Sequence, residues 1–185
     1  MARADGRLTA DLNPQDHGPQ DACGVIGIYA PGEEVSKLTY FGMYALQHRG
    51  QESAGMAVSD GRHMMVFKDM GLVSQVFDEA TLNSLQGHMA VGHTRYSTTG
   101  ASIWDNAQPT FRSRQGGDGL ALAHNGNLTN TGALEALIAE RAPDTEVPHK
   151  DRMDSSNDTS LVTALMTTYD GTLEEVAAQV LPHLQ

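Results

Sequence analysis

The chain has 185 residues, 39% of them hydrophobic, enough for one domain with a substantial core and too few for two large ones. Its formal net charge of -11, from 23 acidic and 12 basic residues, argues against a phosphate-backbone binder and so against nucleic acid as a partner. A single cysteine, Cys23, excludes an internal disulfide, a four-cysteine zinc site and a self-supplied iron–sulfur cluster and fits a reducing cytoplasm, while no apolar run has the length of a membrane span or signal-peptide core.

Residues 1–22 are rich in Asp, Gly, Pro and Gln with little apolar periodicity, so they read as a flexible leader, with folded structure starting near Cys23. Residues 25–29 read as a buried strand. Pro31-Gly32 breaks it, and Val35, Leu38, Phe41, Gly42 and Ala45 then mark one face of a helix. Residues 53–59 and 63–68 are expected to pair as strands through Asp60-Gly61, a two-residue hairpin signal. Residues 89–95 and 120–124 are two further strands, each ending in a polar cluster where a site could lie. Helical spacing returns at Leu134, Leu137 and Ile138, then at Leu161, Val162, Leu165 and Met166 behind Asp154-Ser155-Ser156 as caps. A last helix opens with a capping box, Thr172 and Glu175, and has Leu173, Val176, Val180 and Leu184 on its apolar face. Antiparallel strands plus helices give the α+β class.

Cys23 stands in Asp21-Ala22-Cys23-Gly24-Val25-Ile26-Gly27-Ile28, at the start of the first strand and directly behind the leader. A lone cysteine is ordinarily a small buried hydrophobe, so its placement needs support from the rest of the chain. Four polar clusters follow it: Gln47 to Ser53, Gly92 to Thr98, His124-Asn125-Gly126-Asn127, and Ser155 to Thr159. Singly, each has a plain structural account, with Arg49 in a surface ion pair, Asn125-Gly126 as a turn and Asp158 in the first turn of a helix. The eight histidines show no HExxH-like spacing, so no metal site is expected.

Taken together and in order, Cys23-Gly24-Val25-Ile26-Gly27, Leu46-Gln47-His48-Arg49-Gly50-Gln51, Gly71-Leu72-Val73-Ser74-Gln75-Val76-Phe77 and Ala123-His124-Asn125-Gly126-Asn127-Leu128 resemble the glutamine-hydrolysing domain of the amidophosphoribosyltransferases, from Cys23 through at least Leu165. The resemblance implies an α+β N-terminal nucleophile (Ntn) hydrolase, a four-layer αββα sandwich of two antiparallel sheets between helices. It further implies that residues 1–22 are a propeptide removed autoproteolytically, and that residues 23–185 are a C-terminally incomplete class II glutamine amidotransferase domain lacking its phosphoribosyltransferase partner domain. Cys23 would then be the nucleophile, activated by its own freed α-amine, because a thiol ordinarily titrates near 8.5 and an α-amine near 8. The family match makes Asn125 and Gly126 the oxyanion hole, Arg95 and Asp158 the partners of the glutamine carboxylate and ammonium, and Thr98 an added hydroxyl donor. Residues 96–106 would form a lid, and Arg49 and His48 would be structural support.

The implied reaction releases glutamate and ammonia through a Cys23 thioester, the ammonia serving phosphoribosylamine formation from phosphoribosyl pyrophosphate (PRPP) in the first step of purine synthesis. No cofactor is expected in this segment; magnesium with PRPP, and an iron–sulfur cluster where there is one, would belong to the C-terminal region. The expected partners are glutamine, the phosphoribosyltransferase domain and further copies of the full-length chain, in the cytoplasm. Two features depart from the pattern: Thr159-Ser160 follows Asp158 where many members have an acidic residue, and no Asp-Asp PRPP loop occurs before Gln185. The rival readings are another class II amidotransferase, such as glucosamine-6-phosphate synthase, asparagine synthetase or glutamate synthase, and a non-catalytic glutamine-binding fragment. Leu46 to Gln51 and the leader favour the purine enzyme over the sugar synthase.

Overall fold

A computed structural model describes residues 23–96, 103–114, 119–144 and 158–185. The expected leader, Thr98, the centre of the expected lid and the caps at 154–156 lie outside the described residues. Four strands, β1 (Gly24–Tyr29), β2 (Ser53–Ser59), β3 (Met64–Met70) and β4 (Met89–Arg95), form an antiparallel sheet in the order β1-β4-β2-β3. Two shorter strands, β5 (Thr110–Ser113) and β6 (Gly119–Leu122), pair antiparallel as a second sheet. The helices are α1 (Val35–Ala45), α2 (Val73–Val76), α3 (Glu79–Ser84), α4 (Thr131–Arg141), α5 (Asp158–Thr167) and α6 (Leu173–Val180).

The layers follow from which faces are apolar. Strand β2, Ser-Ala-Gly-Met-Ala-Val-Ser, is buried through its first six residues, as a central strand covered on both faces must be. Ala54, Met56 and Val58 join Val35 and Met43 of α1, and Val73, Val76 and Leu82 of the short helices, in a core on the outer face of the four-stranded sheet. Leu134 and Ile138 of α4, Leu161, Ala164 and Leu165 of α5, and Val176 and Val180 of α6 form a second core that packs on Leu120 and Leu122 of β6. The inner face of the four-stranded sheet meets the segment leading into β5 where β2 passes Gln108: a methyl on Gly55 would overlap the Gln108 carbonyl. Helices, sheet, sheet and helices therefore stack in the expected αββα order.

Several local expectations are corrected. Helix α1 buries Val35, Ser36, Thr39 and Met43, whereas Leu38, Phe41 and Tyr44 are 42%, 65% and 57% exposed. Its inward face is set by the small residues that fit the sheet: Gly42 sits over Ile26, and Gly92 of β4 leaves room for Met43 and Thr39. The β2–β3 connection is a four-residue loop rather than a two-residue hairpin. In it Asp60 Oδ1 accepts from the amides of Arg62 and His63, and Gly61 takes φ 87°. Strand β3 runs two residues past the expected 63–68, and β6 ends at Leu122, so Ala123 and His124 fall in an irregular segment. Strand β5 and the short helices α2 and α3 carry no periodicity long enough to read, although Asp78 caps α3 by accepting from the Thr81 amide at 2.7 Å. The capping box at Thr172 and Glu175 is present, but Leu173 on the expected apolar face of α6 is exposed.

Candidate active site

The antiparallel register sets the site. Gly24 pairs with Thr94 and Ser53 with Arg95, so the start of β1, the start of β2 and the end of β4 meet at one end of the sheet. Cys23 is partly exposed there, and its thiol lies 3.4 Å from the Tyr96 carbonyl, one residue past Arg95. Arg49 Nε donates to the Cys23 carbonyl at 3.3 Å, the supporting role expected of it. His48, by contrast, is exposed and bonds the Ala45 carbonyl at the end of α1. Gln47 holds the same loop by donating to the Gly50 carbonyl and accepting from the Val73 amide.

Strand β4 alternates, so with Gly92 against α1 the side chains of His93 and Arg95 point to the inner face. Arg95 is 7% exposed and its Nη1 lies 3.1 Å from Glu52 Oε2, an ion pair that anchors one arm of the guanidinium. His93 is fully buried and bonds the His124 carbonyl at 3.2 Å across the gap between the sheets. The His124 amide donates to Gln108 Oε1 at 2.8 Å, and its Nδ1 lies 3.7 Å from Asp158 Oδ2. Asn125 and Gly126 follow directly, exposed, with the His124 ring packed over Gly126: a methyl on Gly126 would lie 2.6 Å from His124 Nε2.

Asp158 opens α5 and ties it to the loop after β6, accepting from the Leu128 amide at 2.9 Å and the Thr159 amide at 2.8 Å. Burial pushes its carboxyl up, but the His124 side chain and the two amides outweigh that, so Asp158 sits below the usual carboxylate value. The fold thus links Cys23, Arg95, Asn125, Gly126 and Asp158 by a continuous set of contacts, while Thr98 lies outside the described residues. Glu52, His93 and Gln108 were not singled out from sequence. Glu52 and His93 lie inside clusters that were, whereas nothing local marks Gln108, whose role depends on the second sheet. Among the described residues no group of three His, Cys, Asp or Glu is arranged to hold a metal ion, and no helix is long and apolar enough to cross a membrane.

No protein-family model matches the chain. It is 53% identical over 184 residues to an amidophosphoribosyltransferase of Mycobacterium tuberculosis (95% of this chain, 33% of the relative), and 60% identical over 139 residues to one from Synechococcus elongatus (72% and 28%). Among solved structures it is similar to the glutamine PRPP amidotransferase of B. subtilis, solved with ADP and GMP, at a TM-score of 0.70 and 33% identity, over 87% of this chain and 33% of that one. The chain spans about a third of the length of the relatives it matches. Over that third, the resemblance read from the motifs and the two-sheet Ntn-hydrolase fold both hold.

Proposed function

We propose, from the premise that this chain resembles the amidophosphoribosyltransferases along almost its whole length, that it works as their glutamine-hydrolysing half. The observation that carries the reading is the seat of Cys23. Cys23 is partly exposed at the end of the sheet where β1 starts beside β4, and contacts through β4 lead to a buried arginine and to the Asn125-Gly126 segment.

In the proposed reaction residues 1–22 are removed and Cys23 gains a free α-amine. That amine takes the thiol proton, and the sulfur attacks the side-chain amide carbon of glutamine. The oxyanion is stabilised by the Asn125 side-chain amide and the Gly126 N–H. The carbon–nitrogen bond then breaks, the nitrogen takes the proton held by the amine and leaves as ammonia, and water cleaves the Cys23 thioester to give glutamate and regenerate the thiol. Arg95, oriented by Glu52, would face the glutamine α-carboxylate, with Thr98 adding a hydroxyl donor. Asp158, held in its ionised form, would face the ammonium.

The ammonia would serve phosphoribosylamine formation from PRPP on a phosphoribosyltransferase domain. The reading assigns that step, its magnesium and any iron–sulfur cluster to the further length found in the relatives, and it includes a cytoplasmic homo-oligomer of the full-length chain. The test is ammonia release from glutamine by the chain with residues 1–22 removed, beside its Cys23→Ala variant. Turnover is expected to fall by about 10³ or more on losing the nucleophile. Equal release by the two proteins would sink the assignment.

A further inference from the structure

Residue 124 lies in an irregular segment between β6 and α4, where no strand or helix supplies its backbone hydrogen bonds, so they must come from elsewhere. Both come from side chains. His93 Nε2 meets the carbonyl at 3.2 Å and Gln108 Oε1 takes the amide at 2.8 Å. Because a carbonyl can only accept, the His93 Nε2 must carry the proton, which fixes the neutral tautomer; its Nδ1 is buried and has no hydrogen-bond partner among the described residues. One bond from a fully buried ring is therefore aimed across the sheets at the residue just before Asn125 and Gly126. The His124 ring in turn packs over Gly126 and approaches Asp158.

We propose that His93 is a positioning residue that fixes the His124 backbone, and through it the Asn125 and Gly126 donors, relative to the strand that begins at Cys23. This rests on the oxyanion-hole reading above for its catalytic consequence, but not for its structural one. Donors aimed at a developing oxyanion work only when held within a few tenths of an ångström, and a loop without ladder bonds cannot hold itself there.

The experiment compares the full chain with His93→Leu, which removes the donor, and His93→Gln, whose side-chain amide can place an N–H where Nε2 stood. Amide exchange and NMR shifts of residues 124–126 need no turnover. Exchange at His124 should speed by about tenfold or more in His93→Leu and stay near the parent in His93→Gln, as a local opening would give. On glutamine, His93→Leu should lose about 10–100-fold in kcat with KM changed less than about threefold, and His93→Gln should recover most of the loss. Unchanged exchange and shifts at 124–126 in a folded His93→Leu overturn the proposal, as does a loss confined to KM or one that His93→Gln does not rescue. If the parent itself turns over no glutamine, the functional reading fails instead, and exchange and shifts alone decide whether His93 holds the loop.

Discussion

The buried imidazole of His93 makes a test that needs no substrate. Burial disfavours its charged form; the bond to the His124 carbonyl opposes this, while Arg95 and His124 add repulsion, and the net result is a value lowered from 6.5 to about 4. As pH falls the unfolded chain therefore takes up the proton first. The stability contributed by keeping this ring neutral is fully present above about pH 6.5 and is lost progressively towards pH 4. Denaturant titrations of the parent and His93→Gln across pH 4–8 should differ in slope within that window and run parallel above it. Parallel curves throughout would show that His93 is not held neutral by the fold. Asp158 acts with the opposite charge type but the same sign, its ionised form supporting the fold above the usual carboxylate range and ceasing to do so at lower pH.

At the scale of elements, close approach decides which substitutions the sandwich tolerates. A methyl on Gly55 would meet the Gln108 backbone carbonyl and, at 2.7 Å, Lys68 Cβ, so relief requires the backbone that leads into β5 to move away from β2. A methyl on Gly42 would meet only Ile26 Cδ1, the free end of a flexible side chain, and alanine favours the helix. Gly55→Ala should cost about 3 kcal/mol or more, or prevent folding, and Gly42→Ala about 1 kcal/mol or less, measured by denaturant unfolding. Similar costs would mean that β2 and the Gln108 backbone are not in contact there. The same contrast explains what could be read from sequence. Strands β1, β2 and β4 were legible because their apolar runs are bounded by turn residues. The buried face of α1 was not, because it is chosen by fit to the sheet, Gly42 over Ile26 and Met43 and Thr39 over Gly92, which leaves the apolar Leu38 and Phe41 outside. Strand β5 was missed because four residues, Thr-Phe-Arg-Ser, carry no period and exist as a strand only through β6. Of the candidate site, the residues inside the motifs are visible in the sequence, whereas Gln108, supplied to His124 from 16 positions away, could be found only from the fold.

In the molecule as a whole, the two cores lie on the outer faces of the sheets, and the sheets meet unevenly. At the end where β1 starts they are joined through His93 and His124, and Gly55, paired opposite His93, abuts Gln108 at the same level. At the opposite end they leave an apolar cavity of about 490 Å³ lined by residues such as Gly27, Ala57, Val91 and Leu120. The chemistry-bearing residues gather at the tight end, where buried bonds can hold donors still. If that end is a glutamine site, the thiol is made reactive by a formed pocket rather than by exposure alone. The most direct measurement is to treat the protein with a glutamine-like diazo ketone, with and without excess glutamine, and to map the adduct by peptide mass. One adduct is expected, on Cys23 and suppressed by glutamine; no adduct, or one on Cys23 that glutamine leaves unaffected, would show that no glutamine pocket forms around the thiol.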